Sequence, residues 1–301
     1  MLHKLSLLLL RSISLFLGII PLNLTFSLGR CLGRLAYYVD KRHLNVAIDN
    51  LTFALGEKYV KRIAKKVFEN LGINLMEFFY LTRLKRGDLE GYVCHEGLEN
   101  LEKAYEKGKG VILLSAHFGN WELLSAAIAL WGYPLNVVVR KLDNPILDTF
   151  VEGVRTRFGT RVIDKRASMR RLVELLKAEE MVGVLLDQNT IRREGVFVDY
   201  FGRPACTNKG LASLALKSGA TVIPVFIVRE GRGSRHKIIF GEEIPLTRTG
   251  DRKKDVIANT AKFTKCIEGF VREYPDHWFW VHRRWKTRDT QKGGGEEQRK
   301  C

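Results

Sequence analysis

With 301 residues, 46% of them hydrophobic, and only 7 prolines, the chain has the apolar surface for one large packed domain or two modest ones, and wholesale disorder is excluded. Fifty Lys and Arg against 33 Asp and Glu leave a formal charge of +17, an excess that favours a polyanionic partner: nucleic acid, an anionic membrane face or a phosphorylated substrate. The cysteines, Cys31, Cys94, Cys206, Cys266 and Cys301, form no C-x-x-C pair and no Cys/His cluster, so neither a zinc site nor a disulfide framework is indicated.

The amino terminus departs from the globular pattern. Residues 5–29 contain one charge, Arg11, in a run close to the length a bilayer requires, although Pro21 and Asn23 interrupt it. We read residues 1–35 as a membrane anchor, spanning or deeply interfacial. A cleaved signal peptide is the alternative, but no small-residue cleavage site follows and the thiols suit a reducing compartment. Arg30, Arg34, Lys41 and Arg42 come next, and positive-inside bias then keeps the remainder on the cytoplasmic face.

From about 55 to 83 apolar residues recur at helical spacing, and VILLSA at 111–116 is a short continuous apolar run leading through Gly119-Asn120 into a helical pattern at 121–132. Further strands are expected at 135–140, 181–186, 221–228 and 236–240, and helices at about 145–158, 168–179, 208–218 and 253–273. Strands alternating with helices give an α/β domain over 36–288, a mixed central sheet flanked by helices, behind the membrane-anchoring helix. Residues 289–301 have the composition of a disordered tail.

SAHFGNWELL (115–124) places His117 in the loop after a buried strand, Asn120 as helix cap and Glu122 in the first helical turn. On a continuous helix a five-residue step separates side chains by about 140°, but the loop allows His117 to fold back over Glu122. Helix-start amides keep that Glu ionised, so it can fix one ring nitrogen while the other takes a proton from a hydroxyl. A half-buried histidine beside an ordinary helix-start glutamate is the plain alternative, and spacing alone does not choose between them.

HFGNWE and its surroundings resemble the His-x4-Asp/Glu signature of the lysophospholipid-type acyltransferases, and in particular the bacterial lipid A biosynthesis acyltransferases. The resemblance runs through RKLDNPILDTFVEGVRTRFG (140–159), GVLLDQN (183–189), FVDYFGRPACTNKGLASLALKSGATVIPVF (197–226) and HWFWVHRRWKTR (277–288). It implies direct acyl transfer with His117 as general base and Glu122 as its acidic support, and marks Arg155 and Asp187 as matching positions important for activity. It also implies no cofactor and no metal. The co-substrate is an acyl thioester, on acyl carrier protein or alternatively coenzyme A, and the acceptor is a lipid A precursor at the inner membrane. Mannoside acyltransferases lie near this group, so the acceptor is less determined than the reaction.

The segment 140–171 carries nine basic residues against four acidic ones, and arginine forks such as Arg155 and Arg157 suit phosphate and carboxylate groups; a solvated helix face is the competing reading. Asn120 is placed with Arg155, Arg157 and Asp187 among the substrate-binding candidates. For Asp187 the plain alternative is a turn-forming carboxylate. Trp278, Phe279, Trp280 and Trp285, interleaved with Arg283, Arg284 and Lys286, suit a lipid–water interface or a packed carboxy-terminal element. His282 has no acidic partner at a telling distance and is left out of the site. No G-x-S-x-G elbow, P-loop or dinucleotide fingerprint occurs, and Gly29-Arg30-Cys31-Leu32-Gly33 is only a near miss after the membrane segment. Nucleic-acid binding has the charge but no motif, and a catalytically dead scaffold differs only in not needing His117.

Overall fold

The computed structural model describes residues 10, 12, 14–17, 19–85, 87, 89–166, 169–231 and 233–289. Three helices come first: α1 (Leu22–Val39), α2 (Lys41–Leu55) and α3 (Val60–Leu81). A one-turn helix α4 (Leu89–Tyr92) leads to β1 (Val93–Glu96), α5 (Leu98–Tyr105), β2 (Val111–Ser115), α6 (Trp121–Leu130) and β3 (Leu135–Val139). The chain continues through α7 (Pro145–Thr156), β4 (Arg161–Asp164), α8 (Met169–Lys177), β5 (Met181–Leu185), β6 (Gly195–Tyr200), β7 (Arg203–Asn208), α9 (Gly210–Ser218), β8 (Thr221–Arg229), β9 (His236–Phe240) and α10 (Arg252–Glu273).

Seven strands form one sheet in the order β1-β9-β8-β2-β5-β3-β4. The five from β8 to β4 are parallel, β9 runs antiparallel to β8, and β1 lies parallel to β9. This is the mixed α/β sheet expected from the sequence. β2 is buried on both faces, as a continuous apolar run in a parallel sheet must be. Ile112 and Leu114 face a core shared with α2, α3, α8, α9 and α10, whereas Val111 and Leu113 face α5, α6 and α7. The antiparallel pair β6–β7 turns at Phe201-Gly202, both at positive φ, as a two-residue hairpin matching strand twist requires.

The amino-terminal expectation needs correction. Among the described residues no helix is long and apolar enough to cross a membrane, and residues 1–9, 11, 13 and 18 of the expected anchor lie outside the described set. Pro21 stands at the N-cap of α1 and interrupts the apolar run. From there α1 is amphipathic: Thr25, Phe26, Gly29 and Gly33 are buried, whereas Leu24, Leu28, Leu32 and Leu35 are exposed. Its buried side crosses α3 at backbone contact. A Cβ on Gly33 would stand 2.1 Å from the Phe68 carbonyl oxygen, and one on Gly72 would stand 2.2 Å from that of Gly29. The G-x3-G spacing therefore serves helix crossing, where small residues let two backbones approach. Beyond Asp289, the expected tail lies outside the described residues.

Candidate active site

Parallel register assembles the centre. Ser115 of β2 pairs with Leu185 of β5, so two residues further along each strand His117 comes opposite Asp187, and Leu186 N–H donates to the Ser115 carbonyl at 3.0 Å to carry the pairing past the strand ends. Carboxyl ends of parallel strands are where open α/β sheets collect ligands. His117 Nδ1 lies 2.8 Å from Asp187 Oδ1, and Trp278 Nε1–H donates to Asp187 Oδ2 at 2.9 Å. A carboxylate only accepts, so the imidazole proton sits on Nδ1 and the Nε2 lone pair is left for a ligand. Nε2 has the Gln188 amide nitrogen at 3.4 Å, a distance a hydroxyl can readily displace. The ring is otherwise walled by aromatics, with the Trp121 and Phe279 centroids 5.2 and 6.1 Å away.

The electrostatics follow from that geometry. Burial lowers the His117 pKa, but the Asp187 charge and hydrogen bond outweigh it, with a further upward contribution from Glu122, and the net shift is upward. Burial likewise pushes Asp187 up, yet the His117 charge and hydrogen bond and the Trp278 donor prevail and hold it at about 2. Asp187 is thus an anion fixed under the histidine.

Glu122 departs from expectation. It does not hold a ring nitrogen of His117. Arg155, in the last turn of α7, grips it with both donors of its fork, Nε to Oε2 at 2.8 Å and Nη2 to Oε1, and Trp121 Nε1–H donates to Oε1 at 3.1 Å. The ring nitrogen goes to Asp187 because strand register delivers that carboxylate directly, while Glu122, in the first turn of α6, is held by Arg155 of α7. Glu122 acts on His117 through space, and Arg155 binds Glu122.

Asn120 is buried and committed to the fold: its side-chain oxygen accepts from Leu123 N–H as the N-cap of α6, and its amide donates to Glu77 Oε2 at 2.9 Å. It shapes the loop, with its side-chain oxygen and one amide donor engaged within the fold. Arg157 lies exposed past the end of α7, its guanidinium 5.9 Å from the Phe158 ring, and is not drawn into the cluster. The two readings of the carboxy-terminal aromatics also divide. Trp278 and Trp280 are core residues, and Arg284 is fully buried, donating to the Cys206 carbonyl and to Thr207 Oγ1. Residues 277–279 bind the histidine loop: Gly119 N–H donates to the His277 carbonyl at 2.9 Å and Phe279 N–H to the His117 carbonyl at 3.0 Å.

Sequence reasoning missed the clamp beneath this loop. Glu77 of α3, 1% exposed, accepts both Arg229 donors at 2.8 and 2.6 Å and the Tyr92 hydroxyl at 2.6 Å, in addition to Asn120, and His236 Nε2 stands 3.4 Å away. Asn74, one turn before Glu77, donates to the Gly119 carbonyl at 2.6 Å. Gly119 has φ +54°, and a Cβ there would lie 1.9 Å from the Ile227 carbonyl oxygen, so no other residue fits. The available signal was a glutamate among helical apolar residues in NLMEFFYL and an arginine closing an apolar strand, charges whose burial requires pairing.

A histidine activated by a buried carboxylate at strand ends, with a glutamate–arginine pair one turn away, fits base-assisted attack by a hydroxyl. The model of the bacterial lipid A biosynthesis acyltransferases matches residues 4–287. The chain belongs to this family. It is 27% identical over 278 residues to the lipid A biosynthesis lauroyltransferase of Escherichia coli K12, covering 89% of this chain and 87% of that one. The lipid A biosynthesis palmitoleoyltransferase of the same organism is 26% identical over 273 residues, with 89% and 87% covered. The phosphatidylinositol mannoside acyltransferase of Mycolicibacterium smegmatis is 27% identical over 214 residues, covering 69% and 67%. This acyltransferase family membership gives the His117 centre its chemical context.

Proposed function

We propose that the protein moves a fatty acyl chain from a thioester, carried on acyl carrier protein, to a hydroxyl of a lipid A precursor at the cytoplasmic face of the inner membrane. The observation that carries the chemistry is the His117–Asp187 pair, which leaves Nε2 as a proton acceptor on a ring flanked by Trp121 and Phe279. Nε2 takes the acceptor hydroxyl's proton as its oxygen attacks the thioester carbonyl. The tetrahedral intermediate collapses, the C–S bond breaks, and the proton returns from His117 to the departing thiolate. Asp187 stabilises the imidazolium formed in between, and the Glu122 charge adds to it. The first amides of α6, of which Leu123 N–H is already taken by Asn120, suit the developing oxyanion.

The donor chain has an apolar slot to enter. A cavity of about 70 Å³ lies between sheet and helices, with Leu113, Val137, Gly183 and Ile128 in its walls and Glu122 and Arg155 beside it. Gly183 stands in register between Leu113 and Val137, and a Cβ there would meet Leu135 and Val137 only at 3.5 Å. Glycine in the middle of a buried strand weakens it, and marks a place where a ligand comes close. Membrane contact falls to the exposed apolar side of α1 and to Leu15, Phe16 and Ile19, which precede it and are each at least 64% exposed. Such an exposed apolar side suits attachment at the lipid–water interface.

An acceptor panel tests the assignment. Purified enzyme with lauroyl-charged carrier protein is expected to add one acyl mass to a tetra-acylated lipid A precursor, and not to lysophosphatidate or a mannosylated phosphatidylinositol. Gain on either of the latter alone would keep the His117 chemistry and replace the acceptor, and equal turnover with lauroyl coenzyme A would remove the carrier protein as required donor.

A further inference from the structure

A second and larger cavity, a groove of about 610 Å³, runs between the first three helices and the carboxy-terminal segment. Its floor is apolar, from Leu32 of α1, Phe68, Leu71 and Leu75 of α3, and Val281. Its rim carries Arg42 of α2 together with Arg283 and Lys286, all exposed, and among the described residues none of the three has a carboxylate within ion-pair distance. The groove's carboxylate, Asp40, is engaged by His43, whose backbone N–H donates to Oδ1 at 3.1 Å and whose Nδ1 lies 2.6 Å from Oδ2. His282 also lines it, but its Nε2 accepts from Asn189 N–H at 3.0 Å. Arg42, Arg283 and Lys286 therefore line one apolar-floored groove, and the carboxylate that lines it with them, Asp40, is hydrogen-bonded to His43 and has its charge favoured by Arg42.

Phe279 belongs both to this groove and to the surroundings of His117. Phe279 lines the groove, and its ring centroid stands 6.1 Å from that of His117 and 6.2 Å from that of Trp121. At the opposite side Leu32 continues into Leu28 and Leu35 on the exposed face of α1. A ligand suited to this geometry carries an anion for the rim, chains for the floor and the bilayer, and a hydroxyl that reaches past Phe279. Arginine forks match phosphate oxygens two at a time, and a cleft focuses the field of unpaired cations on such a group.

We propose that this groove is the acceptor site, and that it binds a phosphorylated amphiphile with the headgroup phosphate held by Arg42, Arg283 and Lys286 and an acyl chain laid along the Phe68–Leu75 floor. The assignment rests on the acyltransferase reading for its purpose but predicts lipid binding without turnover. It places the acceptor on the α1 side of His117 and the donor chain in the separate slot against the sheet.

The test uses full-length protein carrying His117→Ala, so that binding is read without chemistry, in neutral detergent with a bis-phosphorylated, tetra-acylated disaccharide lipid as probe. Arg283→Gln with Lys286→Gln is expected to weaken binding about tenfold or more, and Arg42→Gln, on a different element, to weaken it severalfold. All three positions are exposed, so the thermal midpoint should match that of the parent. The same lipid stripped of its phosphates should bind parent and variants alike. On the His117 background, KM for acceptor should rise while KM for acyl carrier protein stays fixed. Equal loss of binding to phosphatidylglycerol vesicles lacking the probe would make the rim a general leaflet contact and overturn the proposal. Full competition by inorganic phosphate at the probe's own concentration would overturn the lipid part, and a rise in KM for the carrier protein alone would reassign the cations to the donor. Strong, phosphate-dependent lipid binding by an enzyme that transfers nothing would sink the acyltransferase reading and leave the groove standing.

Discussion

Replacing Asp187 by Asn tests the catalytic pair at nearly constant volume. Both carboxylate oxygens accept, Oδ1 from His117 Nδ1–H at 2.8 Å and Oδ2 from Trp278 Nε1–H at 2.9 Å. An amide offers one acceptor and one donor, so its NH2 must face either Trp278, opposing two donors, or His117, forcing the ring proton onto Nε2 where it blocks proton removal. A positioned general base contributes roughly 100- to 10,000-fold, and the chemical step should fall by about that factor. The pH profile carries a second signature. As general base His117 must be neutral to act, and its pKa is raised, so the acid limb of the wild-type rate should lie above the ordinary histidine value of 6.5. With the Asp187 charge gone, the burial that lowers the pKa is left opposed only by Glu122, and the limb should move to lower pH. Asp187 itself, depressed from 3.8 to about 2, stabilises the fold on the order of 2 kcal/mol above its unfolded pKa, and that contribution fades as pH falls through about 2. The thermal midpoint of the variant at pH 7 should drop accordingly. Single-turnover rates from pH 5 to 9 at saturating acceptor, taken well below that midpoint, decide the matter. An Asn variant within threefold of wild type and with an unmoved acid limb would refute the pairing as the source of base strength.

Arg155→Lys should lower turnover about as much as Arg155→Ala, because a lysine cannot reproduce the two-donor grip on Glu122; recovery to within twofold of wild type would show that only charge is needed. Gly72→Val places side-chain carbon against the Gly29 carbonyl oxygen and should destabilise by about 1–3 kcal/mol or undock α1, seen as a lower thermal midpoint and faster proteolysis near Pro21. Gly269→Ala, with nothing within 4 Å of its added Cβ, should stabilise by about 0.5–1 kcal/mol. Gly183→Val projects into the slot beside Leu135 and Val137 and should shift donor preference towards shorter chains, with about tenfold discrimination against the longest chain used by wild type; an unchanged chain profile would move the donor slot elsewhere.

The central strands were legible because a strand buried on both faces must be continuously apolar, as VILLSA and TVIPVFIV are, and MVGVLL is as apolar although the end of β5 is half-buried. The edge strands were not. β1 and β4 are four residues long, with mostly exposed or half-buried side chains, so they leave little apolar trace. The β6–β7 hairpin escaped because its turn puts Phe201, a residue not expected at positive φ, before Gly202. At the site, His117, Glu122, Arg155 and Asp187 were all legible as candidates, but the pairing among them was not: proximity in sequence suggested His117 with Glu122, whereas the pairing is set by β2–β5 register between residues 70 positions apart. The Glu77–Arg229 clamp joins α3 to the end of β8, and such a pair becomes visible only when the fold brings them together. Alternating Trp and Arg in the carboxy-terminal segment suggested an interface, yet Arg284 is buried, with Nη1 and Nη2 donating to the Cys206 carbonyl of β7 and the Thr207 hydroxyl.

On the proposed mechanism His117 deprotonates an acceptor hydroxyl during acyl transfer. Mass spectrometry of a lipid A precursor incubated with lauroyl-charged carrier protein measures it directly, comparing wild type with His117→Ala of matched thermal midpoint and matched acceptor binding. Wild type is expected to add one acyl group and the variant none above background; a variant that acylates the precursor at a comparable rate would remove His117 as the base.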